Sequence, residues 1–100
     1  WPPGAEIPAY SLRLDAEVYR ALERLPARER ERLLQALLAL GRDPLPEGDR
    51  RKKLAGIRPP LYRLRQGPWR ALYRIDGENV DVLDLIRRRD LDRWLRRYRG

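Results

Sequence analysis

The sequence predicts an α+β domain in the order β-α-α-β-β-β-α, an antiparallel sheet with an N-terminal helical hairpin packed on one face and a short C-terminal helix. Apolar residues recur at helical spacing before residue 41, alternate over residues 61–86 as in strands, and return to helical spacing after residue 90. A chain of 100 residues suffices for a single small core. We therefore expect one domain over residues 9–100, preceded by an irregular, proline-containing lead-in at residues 1–8.

The first three elements are predicted to be a strand and a helical hairpin. Residues 9–14 alternate apolar and polar side chains, as a half-buried strand does. A helix is expected over about residues 15–25, with Asp15 as its N-cap, and a second over about residues 27–40, ended by Gly41. The apolar stripes of the two helices are Val18, Leu22 and Leu25 on the first, and Leu33, Leu34, Leu37 and Leu38 on the second.

The second half of the chain is predicted to form three strands and a helix. A long connection at residues 42–60 contains four prolines, and a loop of this length in a small domain is often functional. Three strands follow at residues 61–66, 69–75 and 79–86, joined by Gly-Pro and Asp-Gly turns. Asp90 can cap a final helix. Its apolar positions are Leu91, Trp94, Leu95 and Tyr98.

The residue types that the chain lacks exclude several kinds of chemistry. There is no Cys and no His, which excludes disulfides, cysteine nucleophiles and the usual histidine base. No phosphate-binding glycine motif and no metal-ligand spacing occurs in the sequence, so we expect neither cofactor nor metal. No apolar run is long enough for a membrane span and no signal peptide is visible, so we expect a cytoplasmic protein without a membrane partner.

Positive charge is concentrated in the second half of the chain. Residues 1–50 contain 8 basic and 9 acidic side chains, and residues 51–100 contain 15 basic and 6 acidic ones. Such asymmetry indicates a polyanionic partner, most simply a nucleic acid. The alternative is a solubilising surface on an arginine-rich chain, since the near absence of Lys and the lack of Met are also typical of heat-adapted proteins.

Three arginines are predicted to share one face of the sheet. Strand alternation directs Arg63 and Arg65 to the same side, and the short turn brings Arg70 beside them. Clustered guanidinium groups repel one another unless an anion lies among them, and they match phosphate oxygens well, so the pattern favours a phosphate-binding cradle. The alternative is a solvated face neutralised by Asp81 or Asp84. The opposite, core-forming face is expected to carry Tyr62, Leu64, Trp69, Ala71 and Tyr73.

A second basic cluster, residues 87–89, lies where the last strand meets the final helix. We expect Arg88 to point toward the sheet face, the alternative being that the triplet forms ion pairs with Asp90 and Asp92. Candidate nucleic-acid contacts outside the predicted cradle are Lys52, Lys53, Arg74, Arg87, Arg89, Trp94 and Tyr98. The lysines either bind phosphate or form a charged loop, and the two aromatic residues either pack in the core or stack on a base.

Three motifs resemble the RelE/ParE superfamily of type II toxins. They are KLAG at residues 53–56, YRLRQGPWRALYRI at residues 62–75 and VLDLIRRRD at residues 82–90. The resemblance covers about residues 10–98, and the order of predicted elements is also that of the superfamily. It implies a RelE-like, microbial-RNase-like fold.

The resemblance implies the toxin of a toxin–antitoxin pair. RelE-type members are endoribonucleases that cut mRNA in the ribosomal A site, where the ribose 2′-hydroxyl attacks the adjacent phosphate. The positions that match their basic catalytic residues are Arg63, Arg65, Arg70 and Arg88. The chain differs from the RelE pattern at Leu61, Arg87, Asp92 and Trp94.

The resemblance also implies partners and leaves alternatives open. We expect a partly disordered cognate antitoxin whose helix lies over the toxin surface in a hetero-oligomer, and we expect the ribosome and mRNA as targets. One alternative is a ParE-like toxin that inhibits DNA gyrase by binding. Another is a basic binding module with weak or no catalysis.

Overall fold

The computed structural model describes residues 10–99 and has the predicted α+β class. The elements are β1 (Ser11–Leu14), α1 (Ala16–Glu23), α2 (Ala27–Leu40), β2 (Arg51–Lys53), β3 (Tyr62–Gln66), β4 (Trp69–Asp76), β5 (Asn79–Arg87), a 3₁₀ turn (Arg88–Asp90) and α3 (Leu91–Arg99). The predicted lead-in at residues 1–8 lies outside the described residues, as does the first residue of the first predicted strand.

The five strands form one sheet in the order β1-β5-β4-β3-β2. Strands β3, β4 and β5 pair in antiparallel fashion, as predicted, and β2 adds to β3 in the same way, but β1 pairs in parallel with β5. The helical hairpin separates β1 from the other strands in the sequence. Local periodicity therefore does not indicate that β1 pairs with β5. Residues 42–60 were predicted to be a long loop, and this prediction was wrong in part because the segment contains β2.

The main core lies between the helical hairpin and one face of the sheet. On α2 the buried stripe is Leu33, Ala36, Leu37 and Leu40, which is the i, i+3, i+4, i+7 pattern of a helix. Leu38 was expected on that stripe but is 56% exposed. It follows Leu37 by one residue, which turns its side chain about 100° away from the sheet. The predicted sheet residues Leu64, Ala71 and Tyr73 complete the core.

Tyr73 anchors the connection after α2 to the middle of the sheet. Its side chain is fully buried, and its hydroxyl donates a 2.7 Å hydrogen bond to the Pro44 carbonyl. Burial raises the pKa of this hydroxyl well above its ordinary value. The contact holds the start of the loop that leads to β2.

The C-terminal helix packs on the face of the sheet opposite the helical hairpin. Leu72 faces away from the main core but is fully buried, and Asp84 is its cross-strand neighbour. The Trp94 indole Nε1 donates a 2.8 Å hydrogen bond to the Asp84 carboxylate. Helix α3 therefore contacts this second face through Trp94, and the 3₁₀ turn before it lies at the edge where the arginines gather.

Candidate functional site

Three of the four predicted arginines, Arg65, Arg70 and Arg88, converge at one corner of the sheet, where β3 ends and β4 begins, and Arg63 lies farther back on β3 opposite Leu72. Arg65 and Arg70 are directly paired across the two strands. The Arg88 backbone N–H donates a 2.9 Å hydrogen bond to the Pro68 carbonyl, so the 3₁₀ turn lies beside the β3–β4 turn. A cavity of about 410 Å³ opens between them. Its lining arginines are Arg65, Arg70, Arg87, Arg88 and Arg89.

Arg70 is the innermost of these side chains and is only 7% exposed. Its Nη1 donates 2.8 Å hydrogen bonds to the carbonyls of Gly67 and Trp69, which fix the guanidinium at the turn. Burial, and then the neighbouring charges of Arg63, Arg88 and Arg65, lower the pKa of Arg70. These neighbours share the site with Arg70, and burial with like charges disfavours its charged form.

Among the described residues, no carboxylate is ion-paired with Arg70 or Arg88, the inner part of this cluster. Within residues 10–99, no carboxylate oxygen lies within 4 Å of a guanidinium nitrogen of Arg70 or Arg88. The predicted alternative, a triplet at residues 87–89 paired with Asp90 and Asp92, is wrong because Asp90 pairs instead with Arg93, at 2.9 Å. The inner arginines present positive charge to the cavity that only the more distant Asp49 carboxylate offsets in part.

Asp49 holds the outer part of the cluster, and the sequence interpretation missed it. Its carboxylate lies 3.1 Å from the Lys52 ammonium and 3.1 Å from each of the guanidinium groups of Arg63 and Arg65. Arg63 also donates a 2.8 Å hydrogen bond to the Asp49 backbone carbonyl. Lys52 and then Arg63 hydrogen-bond the Asp49 carboxylate and lower its pKa. The only sequence signal was its position directly before four consecutive basic residues.

The two carboxylates that were expected to neutralise this face have other partners. Asp81 accepts hydrogen bonds from Arg13 of β1, one of them 2.9 Å long. Asp84 accepts from Trp94. The alternative of a face neutralised by Asp81 or Asp84 is therefore wrong, and the partial neutralisation comes from Asp49.

Arg87 and Arg89 lie at the rim of the cavity. The Arg87 guanidinium carbon is 4.7 Å from the centroid of the Trp69 ring, a cation–π arrangement. Both arginines also line a second cavity of about 360 Å³ on the side of α1. They border the cradle but face the helical hairpin as well.

The remaining candidates do not line the arginine cavity. Lys53 lines a separate cavity formed by residues 53–60. Arg74 lies opposite Asp81 in the register of β4 and β5. It is four residues along β4 from Arg70, so at strand spacing about 13 Å separates Arg74 from Arg70. Trp94 and Tyr98 stack on each other with ring centroids 5.0 Å apart. The half-buried aromatic pair on α3 thus packs beside the sheet rather than inside the cavity.

The geometry supports anion binding rather than metal or triad chemistry. Between residues 10 and 99, no group of three or more acidic side chains is placed to hold a metal ion. In the same part of the chain, no helix has the length and apolar character needed to cross a membrane. Guanidinium groups keep their protons at neutral pH, so they can hold a phosphate and stabilise negative charge but cannot act as a general base.

Comparisons with known proteins relate this chain to the toxins of type II toxin–antitoxin systems. Residues 9–92 match the family model described as the ParE toxin of type II toxin-antitoxin system, parDE. The search of curated proteins finds no match.

Solved structures give similar folds. The archaeal RelE–RelB complex from Pyrococcus horikoshii OT3 matches with 28% identity and a TM-score of 0.69, over 80% of this chain and 96% of that chain. The toxin–antitoxin complex RelBE2 from Mycobacterium tuberculosis matches with 29% identity and a TM-score of 0.67, over 80% and 99%. The intact E. coli RelBE complex matches with 29% identity and a TM-score of 0.62, over 79% and 96%.

Proposed function

Since this chain belongs to the ParE toxin family of type II toxin–antitoxin systems, we propose that it is a toxin of the RelE type that cuts mRNA in the ribosomal A site. The observation that carries the proposal is the cavity in which Arg65, Arg70 and Arg88 meet, where among the described residues only Arg65 has an ion-paired carboxylate, that of Asp49. The buried positive charge of Arg70 costs folding free energy, and a bound RNA phosphate would offset that cost.

In the proposed reaction, the ribose 2′-oxygen bonds to the adjacent phosphorus while the bond from phosphorus to the 5′-oxygen breaks. The products are a 2′,3′-cyclic phosphate and a 5′-hydroxyl, and the hydroxyl proton lost from the nucleophile is balanced by one gained by the leaving oxygen through solvent. Arg70 is fixed by its carbonyl contacts and would hold the phosphate. Arg65 and Arg88 would offset the charge that develops on the phosphorane.

Induced expression in bacteria tests this proposal when 5′ ends are mapped by primer extension on an abundant mRNA. We expect cuts within translated codons for the wild type and at least a hundredfold fewer for Arg70→Ala, since removal of one group that stabilises transition-state charge costs about 10²–10³ in rate. Arg28→Ala, at an exposed position on α2, is the matched control and should cut like the wild type.

A second candidate function is inhibition of DNA gyrase by binding, which the match to a family named for ParE favours. The same expression experiment separates the two activities. Growth arrest with intact mRNA and altered plasmid supercoiling would assign the chain to gyrase inhibition. Cut mRNA with normal supercoiling would assign it to the nuclease.

We also propose a cognate antitoxin as the protein partner, because the similar structures from Pyrococcus horikoshii and E. coli described above are complexes of RelE with RelB. The basic cavity and the exposed Leu38 on α2 suit a partly disordered segment that combines acidic and apolar residues. Coexpression of the neighbouring open reading frame with this chain, followed by copurification, tests the partnership.

A further inference from the structure

The contact between Asp49 and three cations has no role in the nuclease proposal above. The carboxylate oxygens lie 3.1 Å from a side-chain nitrogen of each of three cations, Lys52, Arg63 and Arg65. Two of these cations, Arg63 and Arg65, belong to the set proposed to act on RNA. Each cation contacts the carboxylate through one nitrogen, and guanidinium and ammonium groups bind phosphate oxygens through the same nitrogens.

We propose that Lys52, Arg63 and Arg65 form a second phosphate subsite, which the Asp49 carboxylate fills in the free protein and which an RNA phosphate takes when Asp49 moves aside. This inference rests on the proposed function, because it assigns the ligand of the same basic surface. The subsite takes a phosphodiester group next to the one held by Arg70 and Arg88. Arg65 joins the two subsites, since it contacts Asp49 and also lines the cavity.

The subsite stays assembled when the carboxylate leaves. Arg63 is held by the Asp49 backbone carbonyl at 2.8 Å, and its side chain is only 13% exposed. The preceding turn is fixed separately, because the Arg51 guanidinium contacts Asp43 at 3.2 Å and Glu47 at 3.1 Å. Rotation of one side chain therefore opens the subsite without movement of the backbone.

The Asp49 carboxylate is able to rotate away. Its side chain is 52% exposed, as is that of Lys52. Exposed ion pairs are weak, because water and salt screen them. An RNA phosphate held at the same time by Arg70 and Arg88 has a high local concentration near the subsite, so it competes favourably with a single exposed carboxylate.

The contacts of Asp49 favour its action as an anion that competes with phosphate over its action as a proton acceptor. Lys52 and Arg63 lower the pKa of the carboxyl group, which keeps it ionised at neutral pH and makes it a poor base. The same contacts make the carboxylate an effective substitute for phosphate.

Phosphate binding by the purified full chain tests the inference, with Asp49→Asn as the main variant. The substitution removes the charge but keeps the size of the side chain and the backbone carbonyl that holds Arg63. We expect inorganic phosphate to bind about three- to tenfold more tightly by isothermal titration calorimetry, since a competing exposed ion-pair network is lost. Adding Lys52→Gln to Asp49→Asn should abolish the gain.

Asp81→Asn is the matched control, because it also removes one carboxylate paired with arginine but lies on β5 beside β1. It should change phosphate affinity by less than about twofold. The inference would be overturned if Asp49→Asn bound phosphate no more tightly than Asp81→Asn. It would also be overturned if Asp49→Asn bound phosphate more weakly than the wild type, which would make Asp49 a positioning residue. If the amide introduced by Asp49→Asn disturbs the turn, the phosphate affinity of Asp49→Ala is the second measurement.

Failure of the subsite and failure of the nuclease proposal give different results. If the wild-type protein cuts no mRNA but Asp49→Asn still binds phosphate more tightly, the subsite stands and the nuclease proposal fails. If the wild type cuts mRNA and Asp49→Asn shows no gain, the nuclease proposal stands and the subsite fails.

Discussion

Replacement of Arg70 by methionine is expected to stabilise the protein and to abolish its activity. The side chain is 7% exposed, has no carboxylate partner in the described chain, and has three arginines as neighbours. Burial and these neighbours lower its pKa, so folding disfavours the protonated form. This cost is fully present at every pH below the folded pKa, including pH 7, and it disappears only as the pH rises above the unfolded value.

Two opposing contributions set the size of the effect. Replacing a buried ion pair by apolar side chains of similar volume often stabilises proteins by about 1–4 kcal/mol, and we take the same range for a buried arginine without an ion-paired carboxylate. Loss of the hydrogen bonds to Gly67 and Trp69 costs about 1.5–3 kcal/mol each at a buried site, because the donor is a charged group. The Gly67 carbonyl lies in an exposed turn where water can replace the donor, which leaves the bond to Trp69, at the low end of that range, as the main loss. The net expectation is a gain of about 1 kcal/mol, or about 4–8 °C in Tm.

Thermal unfolding with and without phosphate measures this balance. Phosphate at about 100 times its Kd should stabilise the wild type by about 2.7 kcal/mol, and it should stabilise Arg70→Met far less. Arg28→Met on the surface of α2 is the control for charge and should shift stability by less than about 0.5 kcal/mol. A variant that unfolds at a lower temperature than the wild type, yet gains equally from phosphate, would refute the reasoning and make Arg70 a structural residue.

Two further predictions address the fold and the RNA interface. Tyr73→Phe removes the hydroxyl that is bonded to the Pro44 carbonyl and should destabilise the protein by about 1–3 kcal/mol, measured by urea unfolding; no change would mean that this bond does not anchor the loop. Arg88→Ala should reduce the slope of log K against log salt by about 0.7 for single-stranded RNA; an unchanged slope would remove Arg88 from the phosphate contacts.

Local sequence patterns predicted most of the elements because the relevant signals are local. The second helix has the predicted bounds, Ala27–Leu40, because its ends carry their own signals. Strand alternation placed Arg65 and Arg70 on one face, and the structure pairs them directly. The arginine cluster was accessible from sequence because one short turn brings its two strands together.

Features that depend on distant contacts were not accessible in the same way. Strand β1 pairs with β5 across most of the chain, and strand alternation does not specify the direction of that pairing. Strand β2 contains three consecutive basic residues and lacks the apolar alternation that marks a strand. Asp49 reaches the arginines only because β2 folds back against β3, so its role could not be read from its neighbours.

In vitro cleavage of mRNA on programmed ribosomes by the purified protein tests the central claim most directly, with the chemistry of the new ends as the readout. The account predicts cuts within the A-site codon that leave a 2′,3′-cyclic phosphate and a 5′-hydroxyl, and loss of these cuts in Arg70→Ala but not in Arg28→Ala. Intact mRNA with the wild-type protein, or equal cleavage by Arg70→Ala, would contradict it.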